Sequence, residues 1–470
     1  MRDCNQGRFR QQVRFLRRQF LQDGGLPLAN VLSGKTVEHA LTAVGMVWND
    51  SIYTPVVTLW VFLSQVLSAD HSCRGAVARL IAHRVSQGQA PCSSKTGAYC
   101  QARKRLPEKF LAMIARTVGR KLEDQAEEAW LWKGHHVYMF DGTTTLMPDT
   151  AENREAYPLV HNQNEGMPLV RVAAVFSLSC GVILDLATAK YAGKGQGEVT
   201  LLRQLSKMFS HGDVVLADCL MCNWRNIFEL SGRGVHLVSR LNKALRKTDF
   251  RKGQRLGKDD HLVRWPKPHI REVGRAVQRA MPRYVTVREA RIYVKTPGFR
   301  TKQVTIVTTL LDPIEYTKED LADLYRQRWN NELDLRSLKS VMQMECLRCK
   351  TPELVRKEIW TYALAYNLIR TIMAQAAAKN SLLPRTISFK GALQTLEAFR
   401  PIISIVGGHS SSTRELLYQQ LLQAIVLHRV ADRPNRFEPR RLKRRHKHYV
   451  PLAVPRAEAK RQILKGLTKY

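Results

Sequence analysis

Residues 321–370 read LADLYRQRWNNELDLRSLKSVMQMECLRCKTPELVRKEIWTYALAYNLIR. This stretch contains no Gly, and its single Pro, Pro352, follows Thr351, which is suited to precede a new helix. The pattern predicts one helix from about residue 318 to residue 343, a short turn, and a second helix from about residue 353 onward.

Four residues of the first predicted helix, at offsets of 0, 3, 7 and 14, are Tyr325, Arg328, Glu332 and Lys339. At ~100° per residue they fall within an arc of roughly 60° on one face. A stripe of this kind can bind a divalent metal through Glu332 and a neighbouring phosphate through the other three. The alternative is a solvent-exposed face, because Glu332 has Arg328 at i−4 and Arg336 at i+4, an ordinary ion-pair ladder.

The pattern Tyr-x2-Arg-x3-Glu-x6-Lys resembles the YREK signature of DDE transposases encoded by bacterial insertion sequences of the cut-and-paste type. The resemblance implies that Glu332 is the third metal-binding carboxylate of the site. It implies that Tyr325, Arg328 and Lys339 hold the phosphate backbone at the transposon end. It also requires two aspartates upstream, each at the end of a strand.

The composition is consistent with a nucleic-acid partner. The chain has 470 residues and a net charge of +35, which favours two or three domains and a polyanionic ligand. No apolar run reaches the ~18–20 residues that span a membrane, and the first residues contain no apolar signal core, so we expect a cytoplasmic, nucleoid-associated protein and no membrane partner. The nine cysteines indicate reduced thiols, and the two CxxC pairs, which begin at Cys219 and Cys346, are too far apart in sequence to favour a zinc site.

The order of predicted elements gives the fold class α/β, with a ribonuclease H-like catalytic core interrupted by a β-rich insertion, a helical N-terminal domain and a helical C-terminal region. Residues 1–130 are predicted to be a helical domain that binds the DNA end; the first twenty contain six arginines and one acid. The core occupies residues 131–241 and 311–375, the basic β-rich insertion residues 242–310, and the C-terminal region with its basic tail residues 376–470.

Two aspartates in the predicted core stand at strand ends. The run HVYMFDGTTT places Asp141 where a strand meets a polar cluster, and DVVLADCLMC ends a short buried strand at Asp218. A ribonuclease H-like sheet would place these strands side by side. The alternatives are a turn residue for Asp141 and a helix N-cap for Asp218. Asp149 and Asp185 are less suitable, because Asp149 lies in a loop after a proline and Asp185 lacks an open polar flank.

Three carboxylates suit phosphodiester chemistry that uses two Mg²⁺ ions about 3.5–4 Å apart. We expect Asp141 to bridge the two ions, Asp218 and Glu332 each to hold one, and Mn²⁺ to be able to replace Mg²⁺.

The predicted insertion is strongly basic, with 18 Lys and Arg against 5 acids in residues 242–302. The resembled family uses such an insertion to grip the DNA end during hairpin formation, and some members place a Trp late in it to stack on a flipped base. Residues 303–311 contain no Trp, and Trp265 comes too early, which leaves this role unassigned.

The resemblance implies an enzyme that cuts double-stranded DNA at the terminal inverted repeats of its element, forms a hairpin and joins the ends to target DNA. It implies a homodimer in the synaptic complex. Two alternatives are a structure-selective nuclease on the same core and a catalytically silent DNA-binding derivative.

Overall fold

The computed structural model describes residues 2–22, 26–49, 51–159, 166–270, 273–293, 303–405, 410–430 and 454–466. Up to residue 124 its regular elements are helices: α1 Arg2–Arg18, α2 Gly34–Ala43, α3 Pro55–Val66, α4 Cys73–Ser86, α5 Gly97–Arg105 and α6 Glu108–Asp124. Helix α3 begins where the Thr54 side chain accepts a hydrogen bond from the backbone N–H of Val57.

Nine strands form one mixed sheet: β1 Val137–Leu146, β2 Leu169–Ser177, β3 Ile183–Lys190, β4 Val214–Ala217, β5 His236–Arg240, β6 Gln254–Gly257, β7 Asp260–Pro266, β8 Tyr284–Tyr293 and β9 Gln303–Thr308. Their order across the sheet is β3-β2-β1-β4-β5-β9-β8-β7-β6. The pairs β1–β4 and β4–β5 are parallel, and the other pairs are antiparallel. The strands predicted inside the basic insertion therefore continue this same sheet.

The remaining helices are α7 Ala151–Ala156, α8 Glu198–Leu205, α9 Trp224–Ser231, α10 Arg275–Ala280, α11 Lys318–Gln327, α12 Trp329–Arg336, α13 Pro352–Lys379, α14 Phe389–Ile405, α15 Ser411–Leu427 and α16 Arg456–Leu464. The predicted start of α13 is confirmed, because the Thr351 side chain caps it and Pro352 is in its first turn. Helix α13 is buried along most of its length and packs against α3, α6, α14 and α15. Most of the predicted basic tail lies outside the described residues.

The prediction of a single uninterrupted helix over residues 318–343 is wrong. The segment is divided into α11, α12 and a π-helical turn, Ser337–Val341. The Ser337 hydroxyl donates to the backbone carbonyl of Leu333 at 2.9 Å, a contact that perturbs the helical hydrogen-bond ladder just where the wider turn starts. The spacing of ~100° per residue therefore does not extend to Lys339.

A buried carboxylate fixes α12 against the rest of the molecule. Asp334 is fully buried and accepts hydrogen bonds from Tyr366 at 3.0 Å, from Arg385 at 2.8 Å and from Arg370. Arg385 also donates to the carbonyl of Leu178 at 2.7 Å, just after β2. One cluster thus joins α12, α13 and the end of β2.

The turn between β2 and β3 leaves no room for a side chain at this cluster. Gly181 has φ +77°, and a Cβ there would lie 2.9 Å from Cζ of Arg370. Glycine is therefore required both for the left-handed backbone and for the close approach of the guanidinium.

Among the helices that the structure describes, none is long and apolar enough to cross a membrane. The fold is a mixed α/β architecture with a large mixed sheet and many helices.

We expect Asp334→Asn to lower the free energy of unfolding by about 3–5 kcal/mol, because it leaves two largely buried arginines without their shared counter-ion. Urea unfolding followed by circular dichroism measures this. The control is Asp323→Asn on α11. The Asp323 side chain is 67% exposed and that of its partner Arg326 is 78% exposed, so this ion pair should contribute no more than about 1 kcal/mol to the free energy of unfolding. A loss below about 1 kcal/mol for Asp334→Asn would contradict the central role of the cluster.

Candidate active site

Asp141 lies on β1, and Asp218 is the residue that directly follows the parallel neighbour β4. Met139 of β1 pairs with Leu216 of β4, and each aspartate follows its paired residue by two positions. Because side chains alternate along a strand and neighbouring strands lie about 4.8 Å apart, this register places both carboxylates at one place and on one face of the sheet.

The strand that carries Asp141 does not end there, contrary to the prediction. β1 continues to Leu146 alongside β2, with Asp141 opposite Ala174, whereas β4 ends at Ala217. The edge of β1 at Asp141 is open because the neighbouring strand β4 ends at Ala217. Asp141 is therefore a strand residue and not a turn residue.

Asp218 does not cap a helix either. Asn223 caps α9, and its side chain accepts from the backbone N–H of Asn226. The Oδ1 atom of Asp218 instead accepts from the backbone N–H of Leu220 at 2.9 Å, which shapes the turn after β4.

Arg328 lies between Glu332 and Asp141. Its Nη2 atom donates to Oε1 of Glu332 at 3.1 Å, and its Nη1 atom is 4.0 Å from Oδ2 of Asp141. The ion pair expected from the i−4 spacing is therefore present, and the same guanidinium also faces the sheet. The Glu332 side chain is 41% exposed, so it lies at the rim of the site.

Tyr325 and Arg240 lie on the Asp218 side of the site. Burial raises the pKa of Tyr325, while the positive charges of Arg328 and Arg240 oppose that rise and the Asp218 charge adds to it. Arg240, at the end of β5, donates to Sγ of Cys219 at 3.4 Å. No motif singled out Arg240, because it is one basic residue at the end of an ordinary strand.

Asp141 is an unfavourable place for an unpaired negative charge. Burial raises the pKa of its carboxyl to about 6, and Glu198 and Asp218 add to the rise. The backbone N–H of Gly142, which donates to Oδ1 at 2.8 Å, and the Arg328 charge act in the opposite direction. Burial therefore makes the charged form of Asp141 costly.

Glu198 is a further carboxylate at this edge that the sequence analysis missed. It begins α8, where an acid is ordinary in a first helical turn. A Cβ on Gly142 would lie 2.6 Å from its Oε1 atom, so glycine is needed for this approach. Arg171 of β2 donates to the same oxygen at 2.9 Å.

Of the six predicted site residues, the structure brings five together: Asp141, Asp218, Tyr325, Arg328 and Glu332. Lys339 lies in the π-helical turn, partly buried, and its ammonium makes no hydrogen bond or ion pair to any described residue.

No three His, Cys, Asp or Glu residues in the described part of the chain are close enough to form a metal site. The acids at the sheet edge nevertheless offer the oxygen ligands that Mg²⁺ prefers, and a divalent cation would stabilise the charged form of the buried Asp141 carboxyl. Holding an ion with Glu332 would require its carboxylate to exchange Arg328 for the metal. The donor chemistry therefore suits a metal.

The competing residues have other partners. Asp149 pairs with Arg154, and Asp185 pairs with Arg116 at 2.6 Å. Trp265 is buried, and its Nε1 atom donates to Glu289 at 2.7 Å, so its ring packs inside the sheet region.

The sequence of residues 132–368 matches the model of a family described as the transposase DDE domain. The chain is 28% identical to "Transposase InsG for insertion sequence element IS4" of Escherichia coli (strain K12) over 372 residues. This alignment covers 78% of this chain and 79% of that protein. It is 41% identical over 68 residues to "Putative transposase InsL for insertion sequence element IS186A" of the same strain, covering 14% of this chain and 18% of that one.

Among solved structures, the chain is similar to the piggyBac transposase in a synaptic complex with hairpin DNA, with a TM-score of 0.41 and 10% identity over 88% of this chain and 85% of that one. A likeness at this level establishes neither fold nor function. The family match spans half of the chain, residues 132–368 of 470, and the resemblance seen in the YREK pattern is confirmed: the chain belongs to the transposase DDE domain family and is a transposase of the bacterial insertion-sequence type.

Proposed function

We propose that this transposase cuts double-stranded DNA at the terminal inverted repeats of its element and joins the freed ends to target DNA, with Asp141, Asp218 and Glu332 as the catalytic carboxylates. The observation that carries the proposal is the position of Asp141 on β1 next to Asp218, which directly follows the parallel neighbour β4. Arg328 links Glu332 to Asp141.

The catalytic core we propose is ribonuclease H-like and comprises β1 to β5 with α8 and α9, followed by α11, α12 and α13. Strand order β3-β2-β1-β4-β5 supports this, because Asp141 then stands on the central strand and Asp218 directly follows its parallel neighbour β4. Residues 242–310 form the basic insertion that follows β5, and residues 1–130 the helical DNA-end-binding domain. The insertion would grip the DNA end during hairpin formation.

Asp141, Asp218 and Glu332 would hold two divalent ions, Mg²⁺ or Mn²⁺, with Asp141 shared between them. Bound ions of this kind lower the pKa of an attacking water and stabilise the leaving oxygen. The chain supplies the carboxylates and keeps Asp141 poorly solvated, so that a cation relieves an existing electrostatic cost.

Arg328, Tyr325 and Lys339 would bind the phosphate backbone next to the scissile bond. Arg328 is placed to exchange Glu332 for a phosphate when Glu332 takes a metal, because a guanidinium binds either group through paired N–H donors. Lys339, with no partner among the described residues, has its three donors available.

The hairpin step and a homodimer that holds both ends remain parts of this proposal. They follow from the cut-and-paste type of the family. A net charge of +35 would keep the protein on the nucleoid DNA in the cytoplasm.

We expect Glu332→Gln to lower the rate of end cleavage on the order of 10³-fold while DNA affinity stays within a few-fold, because it removes one metal ligand worth several kcal/mol in the transition state. The assay is cleavage of a duplex bearing the terminal repeat in Mg²⁺ or Mn²⁺, with binding measured by fluorescence anisotropy in EDTA.

The matched control is Glu319→Gln, which removes an exposed carboxylate from α11 and should leave cleavage unchanged. Cleavage by Glu332→Gln at the rate of the unmodified chain would refute the metal role. Equal losses in both variants would point to a general effect of charge.

A second test uses the charge on Asp141. Its pKa in the folded, metal-free chain is raised to about 6 from 3.8, so the folded state binds the proton more tightly than the unfolded state. Protonated Asp141 therefore stabilises the folded chain below about pH 4, and this stabilisation is lost as the pH rises through about 6. Asp141→Asn should be more stable than the unmodified chain by about 1–3 kcal/mol at pH 8 and by less at pH 5.

Urea unfolding in EDTA at both pH values measures this difference, with Glu319→Gln as the control that should show none. Adding Mg²⁺ should stabilise the unmodified chain more than Asp141→Asn. An Asp141→Asn chain that is less stable than the unmodified one at pH 8 would show that Arg328 already compensates the carboxylate.

A further inference from the structure

A cavity of about 440 Å³ lies far along the chain from the carboxylates, between the N-terminal helices and α14. Its lining includes Trp60 of α3, Arg79 and His83 of α4, and Glu397 and Arg400 of α14. It is thus built from the N-terminal helical region and the C-terminal helices together.

The cavity is lined by two arginines whose guanidinium groups are incompletely paired. Arg79 donates to the carbonyl of Ser64 at 3.2 Å. The guanidinium of Arg400 lies over the ring of Phe20 at 5.5 Å and makes no hydrogen bond or ion pair with any described residue. A guanidinium has five N–H donors, so the two groups retain donors for a ligand that accepts hydrogen bonds.

The cavity brings two positive charges close together, with one carboxylate, Glu397, in its lining. Burial, and then the charge of Arg79, lowers the pKa of Arg400 to about 10, while Glu397 opposes this. Burial also lowers the pKa of His83, which therefore adds a neutral ring. Glu397 is exposed at the rim and forms no ion pair within the described chain. Two arginines that repel each other around a space open to solvent are stabilised by an anion between them.

A second cavity of about 220 Å³ adjoins the first and shares its wall of Phe15, Trp60 and His83. Arg14 and Arg84 line this second cavity. Basic positions therefore continue on both sides of an aromatic wall, a pattern that suits the successive phosphates of one nucleic-acid strand better than one small anion.

We propose that the cavity between α3, α4 and α14 binds a backbone phosphate of DNA, with the guanidinium groups of Arg79 and Arg400 as its donors. The choice of DNA rests on the proposed function, whereas the phosphate chemistry rests on the cavity alone. Occupancy would join the N-terminal helices to α14, so DNA binding at this place would also tighten the packing of the C-terminal region.

The test uses the full-length chain and its Arg400→Gln variant, which keeps the side-chain length and removes the charge. Affinity for a duplex bearing the terminal repeat is measured by anisotropy across a salt series. Loss of one phosphate contact should reduce the slope of log affinity against log salt by about 0.9 and weaken binding roughly tenfold at moderate salt. Arg74→Gln is the matched control, because Arg74 is exposed on α4 and does not line the cavity.

Thermal unfolding separates a binding role from a structural one. Without ligand, Arg400→Gln should unfold at the same temperature as the unmodified chain or higher, since a repelled charge is removed. Inorganic pyrophosphate should raise the Tm of the unmodified chain and of Arg74→Gln, and should raise it less in Arg400→Gln. Arg79→Gln repeats both measurements if Arg400→Gln does not fold.

Pyrophosphate stabilisation that depends on Arg400, with an unchanged DNA salt slope, would overturn the assignment to DNA and favour a free phosphate. No effect of Arg400→Gln or Arg79→Gln on either measurement would overturn the site altogether. The catalytic proposal is tested separately: Glu332→Gln leaves this cavity intact, so a failure of cleavage does not alter the phosphate response.

Discussion

The structure depends on the buried carboxylate of Asp334, which holds two arginines from different parts of the chain. Arg370 belongs to the long central helix α13, and Arg385 reaches back to the end of β2. Asp334 lies only two residues beyond Glu332 on α12. The carboxylate that we assign to catalysis is therefore set in place by a second carboxylate that faces the opposite way, into the protein. Breaking a buried ion pair of this kind costs far more free energy than losing a surface pair. The Asp334 cluster is therefore rigid, whereas the Glu332 side chain at the rim of the site can move.

The sheet contributes a complementary constraint. Because β1 is longer than β4, Asp141 sits inside a paired strand while the position beside it is open. A strand residue is fixed more precisely than a loop residue, and the early end of β4 leaves space for a substrate next to it. The rigid elements β1 and α12 thus carry two of the acids, and the turn after β4 carries the third.

The start of α13 could be predicted from the sequence, because it depends on the capping residues Thr351 and Pro352. That the strands at Asp141 and Asp218 are neighbours was expected from the fold that the YREK motif implies. The sequence did not reveal the π-helical turn, because that turn depends on the side chain of Ser337 bonding to its own helix. It did not reveal Glu198, Arg171 or Arg240, because their proximity to the aspartates arises only when distant strands align. Nor did it show that the strands of the basic insertion would extend the same sheet, since pairing partners are not encoded in the pattern of one strand.

The position of Arg328 connects the electrostatics of the free protein with its activity. Between Glu332 and Asp141 it partly offsets a negative site in a chain of net charge +35. A divalent ion at the same carboxylates would repel this guanidinium, and an incoming phosphate would then be a strong partner for it. Metal binding and DNA binding at the site should therefore favour each other, since each removes the charge that opposes the other. This coupling would give Arg328 a role beyond its helix ion pair with Glu332.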